Sequence, residues 1–474
     1  MIAIVVSRAD EASEHVGERL LDRVDWERTV DESRPDAAGG GDVYVHDPFE
    51  LRTFDDLHLE LDDAAEAFST TPGLLAFASR HSGDTGPLLT AHFTGNFGPA
   101  EYGGDDDALA TAAPGAQAAL VDSFVEYAPE GYEVGMECTH HGPSAVGCPS
   151  LFVELGSGET EWRDPDGASA VAKAILDLAA LAESGNERSD GERSVMGERS
   201  VMGERSGSER SVTGDRTVVG FGGGHYVPRF ERVVRETPWT VGHVAADWGL
   251  DAMGDPGEHR GVLDRAFEAS DAEHALVEGT RPDLEAVVED LGYRVVSETW
   301  LREVADRDLE AVAAVEDELG SVADGVRFGD RRRWTAGDAD DWVTRALPDA
   351  LVETARSVDA DRTRTVVETE TVAFQTRNGG SQVQGRAAFP DADAYDALVD
   401  ALVDVVAEDY DAVRRDGDRV VASKEAFDPR RAHQEGVPEG PKFGRLAGGE
   451  AVTVDGDRVR PEDVTTHRED VFEI

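Results

Sequence analysis

Histidine, glycine and carboxylate recur at the ends of four apolar runs of strand type. Residues 88–96 end in His92-Phe93-Thr94-Gly95-Asn96, and residues 134–143 carry Glu137-Cys138-Thr139-His140-His141-Gly142-Pro143. Residues 151–159 carry Glu154 and Gly156-Ser157-Gly158-Glu159, and residues 218–226 end in Gly222-Gly223-Gly224-His225-Tyr226. If these are neighbouring parallel strands, their ends converge on one crevice, because ligands of open α/β sheets bind outside the carboxyl ends of the strands. Such a crevice would be rich in imidazole and carboxylate, the ingredients of a metal-hydrolase site.

Each segment has a functional and an ordinary reading. Alternation puts His92, Thr94 and Asn96 on one face, with Gly95 permitting close approach to a ligand; a lone His after a strand is otherwise a hydrogen-bonded structural residue. Glu137, Cys138, His140 and His141 fall within five residues, and such mixed donors suit zinc and other borderline metals. No His-Glu-x-x-His or paired Cys-x-x-Cys signature accompanies them, so the His pair could instead cap a strand, and Cys138 could be a core thiol. Two successive His usually cannot both face one ion from a regular strand. Glu154 lies inside an apolar run, where an unpaired carboxylate is expensive to bury, so it needs a cation. Gly156 and Gly158 free backbone N–H groups that could bind an anion, and Glu159 is a general base, a metal ligand or an exposed loop carboxylate. Three consecutive glycines, Gly222, Gly223 and Gly224, suggest a ligand lying against the backbone. His243 is a weaker member with the same placement at a strand end.

These residues need elements to hold them. From residue 1 to about 300 the pattern alternates strand and helix, which predicts a layered α/β domain with a largely parallel sheet. Strands are expected near 2–6, 43–45, 74–78, 88–93, 134–138, 151–155, 218–221, 241–244 and 275–277. Helices are expected near 11–24, 60–69, 114–127, 167–183, 227–236, 257–270 and 281–291, with Pro114 at one first turn and Asp166-Gly167 opening another. Residues 184–216 interrupt this rhythm with the repeat Gly-Glu-Arg-Ser-Val-Met, which reads as a disordered surface insertion. Residues 301–474 read as a second α+β domain, with amphipathic stretches at 308–319 and 391–408 and a strand-like run at 365–374. The tail, 440–464, reads as a small β element around the Asp455-Gly456 turn.

Composition sets the surroundings. The formal net charge is -54, yet 40% of the 474 residues are hydrophobic, so the chain can fold. Lys occurs only at Lys173, Lys424 and Lys442. An acidic, Lys-poor, foldable chain suits molar salt, where the Debye length shrinks to roughly 3 Å and self-repulsion is screened. Nucleic acid is therefore not excluded as substrate, because counterion release contributes little to any protein's binding there. Only Cys138 and Cys148 are present, too few for a disulfide framework. No apolar run approaches the roughly 20 residues of a membrane span, and Met1–Val6 reads as a first strand rather than a signal peptide. A soluble, cytoplasmic monomer with no membrane contact and no obligate protein partner is expected.

Taken together, the motifs from His92 to Asn96, from Glu137 to Pro143, from Phe152 to Ser157, from Glu159 to Trp162 and from Gly222 to Tyr226 resemble the archaeal and plant type of D-aminoacyl-tRNA deacylase, over roughly residues 1–300. That resemblance implies hydrolysis of the ester between a D-amino acid and the 3′ end of tRNA, with zinc, two ions per subunit, as cofactor. It also implies a fold related to peptidyl-tRNA hydrolase and nucleoside-phosphorylase-like proteins. On this reading His92, His140, His141 and Glu154 supply most ligands, with Glu137 as ligand or support. Glu159 or His225 acts as general base or acid. Thr94, Asn96 and the 222–224 backbone hold the adenosine end or orient the aminoacyl group. The tail from Pro441 to Val464 resembles a segment of tRNA 3′-processing zinc endonucleases, a hint that residues 301–474 help hold tRNA. Two other readings use the same residues: a zinc amidase or peptidase for small acylated substrates, and a non-catalytic tRNA or nucleotide binder.

Overall fold

The computed structural model describes residues 1–182, 211, 212, 214, 216–330 and 342–474. Most of the repeat expected to be disordered at 184–216 lies outside the described residues. The chain divides into two compact units, Met1–Ala305 and Asp306–Ile474.

The first unit holds an eight-stranded sheet made of β1 (Ile2–Ser7), β2 (Glu27–Asp31), β3 (Gly41–His46), β4 (Phe49–Phe54), β5 (Leu74–Arg80), β6 (Leu88–His92), β7 (Glu133–Met136) and β8 (Ser150–Gly156). Their order is β2-β3-β4-β1-β5-β8-β6-β7. Central strands such as β1 and β8 are buried along their whole length, which their near-continuous apolar sequences require. A second, all-parallel sheet contains β9 (Thr217–Phe221), β10 (Thr240–Ala245), β11 (His274–Val277) and β12 (Arg294–Val296) in the order β10-β9-β11-β12.

Two features differ from the expected neighbouring parallel strands. β8 runs parallel to β5 but antiparallel to β6, and the Gly222–His225 segment leaves β9, in the other sheet. Strand order is set by connections and packing that local sequence does not carry. The site nevertheless assembles, because the register places His92 opposite Phe152 and Thr90 opposite Glu154. Side chains alternate across a strand, so these four share one face of the sheet. The intervening residues Leu89, Ala91, Val153 and Leu155 point the other way, into a core shared with the helices Glu11–Arg23, Pro114–Tyr127 and Pro165–Asp177. That core is closely packed; truncating a fully buried Phe such as Phe124 to Ala would cost roughly 3–5 kcal/mol.

Local chemistry sets the helix starts. Asp10 caps the first helix through Ala12 and Ser13 N–H, and Asp164 with Pro165 opens the helix expected to start at Asp166-Gly167. The helix expected at 60–69 is two short 3₁₀ turns, His58–Glu60 and Ala64–Ala67. The segment 93–110 joins the two sheets, since Phe97 and Leu109 pack in the second sheet's core beside Phe221, Leu250 and Met253.

The second unit contains a four-stranded antiparallel sheet, Val326–Phe328, Ala373–Arg377, Gln382–Phe389 and Val343–Ala346, with the helices Asp349–Val358, Ala360–Glu370 and Ala392–Val406. The strand expected at 365–374 is a correction: residues to Glu370 are helical, capped by Asp359, and the strand starts at Ala373. The Asp455-Gly456 turn joins Val452–Val454 to Asp457–Val459 in a hairpin.

Candidate active site

A cavity of about 540 Å³ opens over the site face of the large sheet, and Glu137, His140, His141, Glu154 and His225 all line it. Behind its wall His92 is fully buried. The ring centroids of His92 lie 4.2 Å from His140 and 4.8 Å from His141, and those two rings are 4.4 Å apart.

The backbone solves the problem of two successive histidines. β7 ends at Met136, and His141 adopts φ +46°, the left-handed region, so both rings turn to the same point. Holding a non-glycine residue there costs roughly 1 kcal/mol, and several hydrogen bonds hold it. His141 carbonyl accepts from Gly95 N–H at 2.7 Å, Cys138 N–H donates to His225 carbonyl at 2.9 Å, and Thr139 N–H donates to Val244 carbonyl at 2.8 Å. Beneath the loop, His243 Nε2–H donates to Ala110 carbonyl at 2.8 Å while its Nδ1 accepts from the Thr139 hydroxyl at 2.9 Å. His243 is thus buried behind the site rather than in it. Burial pushes its imidazole down to about 4.

The hydrogen bonds also fix tautomers. Nδ1–H of His92 donates to Phe93 carbonyl at 3.1 Å, that of His140 to Cys138 carbonyl at 2.9 Å, and that of His141 to Gly142 carbonyl at 2.7 Å. Each ring is left with an Nε2 lone pair, the arrangement found in histidine metal ligands. Nitrogens of the three rings lie within 4.8 Å of one another. His92 Nε2 is buried without a hydrogen-bond partner and faces Glu154 Oε1 at 3.5 Å. A lone pair facing a carboxylate calls for a proton or a cation between them. Burial pushes the Glu154 carboxyl up to about 7. His92 is raised as well, because its carboxylate neighbours outweigh the burial that opposes its charge. Burial drives His140 and His141 well below the ordinary imidazole value, so both are neutral.

A second group adjoins the first. Glu137 accepts from His225 Nε2–H at 2.7 Å and lies 3.8 Å from both His81 Nε2 and His140 Nε2. Burial opposes charge on both partners, yet the surrounding imidazoles bring Glu137 down to about 2, and Cys138 and Glu137 hold His225 up to about 10. Ligand atoms of His81, Glu137 and His225 lie within 4.8 Å, as do those of Cys138, His140 and His225.

The remaining expected residues have other settings. Thr94 is buried with no partner for its hydroxyl, and Asn96 lines the cavity while its amide donates to Gly103 and Asp105 carbonyls. Glu159 is 73% exposed and pairs with Arg163 at 3.3 Å, away from the cavity lining. Gly156 gives room to His81: a Cβ there would lie 2.6 Å from its Cβ and Nδ1. Gly222 and Gly223 have φ of +96° and +85°, and a Cβ on Gly222 would lie 2.5 Å from Glu278 carbonyl. Gly224 is open, and Gly158 precedes the short helix Glu159–Trp162. The sequence reading passed over His81, although its run Leu74–Arg80 followed by His81-Ser82-Gly83 has the same design as the other four. It also missed Asp10, whose carboxylate accepts from Arg80 N–H at 3.0 Å and so fixes the exit that carries His81.

A family model described as D-aminoacyl-tRNA deacylase matches residues 68–296, the span that holds all five expected ligands. Proteins named D-aminoacyl-tRNA deacylase match along their lengths. That of Halorubrum lacusprofundi is 51% identical over 100% of this chain and 97% of its own, and that of Natronomonas pharaonis is 51% identical over 100% of both. That of Haloarcula marismortui is 49% identical over 98% of this chain and 97% of its own. The crystal structure of a conserved protein of unknown function, 27% identical, superposes with a TM-score of 0.50 over 63% of this chain and 95% of that one. Fold and relatives together define the class: a hydrolase of mixed α/β build with a largely parallel sheet. The chain belongs to the D-aminoacyl-tRNA deacylase family, in its haloarchaeal form.

Proposed function

We propose that the chain hydrolyses the ester joining a D-amino acid to the 3′ end of tRNA, releasing the free D-amino acid and tRNA, with zinc on the floor of the cavity. The observation that carries the zinc is the trio His92, His140 and His141. Each spends Nδ1–H on a backbone carbonyl and keeps Nε2 for a ligand. The donors suit zinc, and a buried His92 Nε2 with no hydrogen-bond partner, facing a carboxylate, is what a metal ligand would present. His92, His140 and His141 would hold the ion, with Glu154 as the carboxylate donor. Zinc supplies two things when bound: it polarises the ester carbonyl and lowers the pKa of water to near 7.

The chain's own groups handle the rest. His225, held charged by Glu137, would give a proton to the departing 3′ oxygen. With Glu159 paired to Arg163 at the surface and Glu154 a ligand, accepting a proton from water would fall to another carboxylate of the cavity lining. Thr94, Asn96 and the backbone at Gly222–Gly224 lie on the segments that would orient the aminoacyl end, and a pocket that clashes with the L side chain would set chirality. The second unit, 306–474, which the haloarchaeal relatives share, would hold the body of the tRNA. The setting is cytoplasmic, where tRNA is charged; no described helix is long and apolar enough to cross a membrane.

Metal analysis of the purified protein tests the centre. One zinc per chain, lost in His140→Ala and kept in His225→Ala, is expected for the trio alone. Two zincs, with one lost in His225→Ala, would place a second ion at His81, Glu137 and His225. A folded protein that binds no zinc would overturn both.

A further inference from the structure

Two aromatic side chains at the cavity stand out against the burial of the others. Trp248 is 50% exposed and Tyr102 is 68% exposed, and both line the cavity. The other large apolar side chains exposed to this degree among the described residues are valines. Each ring is held by segments that carry the site. Trp248 sits in the first turn of the helix Asp247–Met253, where Asp247 Oδ1 accepts from Gly223 N–H at 2.9 Å and from Arg281 at 2.6 Å. Its ring centroid is 6.4 Å from that of His225. Tyr102 carbonyl accepts from Gly142 N–H at 2.9 Å, and the Asn96 amide grips the same loop at Gly103 and Asp105. The glycine and asparagine that the sequence singles out therefore tether two rings it did not.

We propose that Trp248 and Tyr102 are a stacking platform for the terminal purine of the acylated 3′ end, an inference that rests on the deacylase reading. Outside the proposed metal centre the lining sets two carboxylates, Asp10 and Glu101, against one guanidinium, Arg80, so the mouth carries no excess of positive charge to attract phosphate. Counterion release, the usual source of affinity for nucleic acid, is weak in molar salt. Stacking of a base on an aromatic ring needs no net charge and tolerates salt. A cavity of about 540 Å³ has room for a nucleoside beside an aminoacyl group.

The test compares two esters of one D-amino acid, the 3′-adenosyl ester and the methyl ester, in wild type, Trp248→Ala, Tyr102→Ala and Trp248→Phe. Each alanine variant should lose roughly 5- to 150-fold more kcat/KM on the adenosyl ester than on the methyl ester, and Trp248→Phe should restore most of it. Free adenosine should inhibit the wild type with one inhibition constant between about 2 and 4 M KCl, and the alanine variants only weakly. Equal losses on both esters would assign the rings to the amino-acid side chain or to the fold, and no loss on either would leave them idle; both results overturn the platform. Failure of the wild type on D-aminoacyl-tRNA itself would instead sink the deacylase reading. Calorimetric binding of adenosine, lost in Trp248→Ala, would still decide the platform on its own.

Discussion

Thr139, the chain neighbour of the cavity-facing His140, bonds through its hydroxyl to His243, which holds the site from behind. His243 is neutral because its Nδ1 must accept from Thr139 and its surroundings are dry. In the unfolded chain the same imidazole titrates near 6.5, so between about pH 6.5 and 4 the unfolded state binds the extra proton. Stability from this residue is fully present above 6.5 and falls as pH drops through that window, by about 3 kcal/mol once below 4. His243→Gln should therefore flatten the decline of the denaturation midpoint between pH 6.5 and 4. A slope unchanged by the substitution would show that His243 binds its proton equally well in the folded and unfolded protein.

Alternation along β6 and β8 is the device that separates core from chemistry, with Leu89, Ala91, Val153 and Leu155 toward the helices and Thr90, His92, Phe152 and Glu154 toward the cavity. Close packing at the strand ends is as demanding. Gly156→Ala would drive a Cβ against His81, and a small overpacking of this kind costs roughly 1–3 kcal/mol. Activity should fall at least about tenfold while the protein stays folded; a fully active Gly156→Ala would mean His81 has no part in the reaction. Much of this was legible, since apolar runs ending in His and Gly mark strand exits whatever their neighbours. β4 was not, because its Glu50 and Arg52 break the apolar pattern and only the fold shows them buried and paired at 2.7 Å. The Thr- and Val-rich stretch before Glu370 read as a strand because β-branched residues favour one; packing of Thr363 and Val367 on the inside of a capped helix overrode that preference. The antiparallel placement of β8 against β6 depends on contacts far apart in the chain, which no local pattern encodes.

At the scale of the whole molecule, a formal charge of -54 repels itself, and salt screens that repulsion. Dilution from molar KCl to about 0.1 M lengthens the Debye length from roughly 3 to 10 Å. The thermal midpoint should drop steeply over that range, and one independent of salt would remove the habitat argument. On the proposed reading, the same salt leaves metal coordination and base stacking as the forces that would hold an acylated tRNA end. The most direct test of that account is release of D-tyrosine from D-tyrosyl-tRNA in multimolar KCl, with and without a chelator, against L-tyrosyl-tRNA as control. The account predicts release from the D ester alone, abolished by the chelator and restored by zinc. Release that ignores the chelator, or none from a folded, zinc-loaded protein, would contradict it.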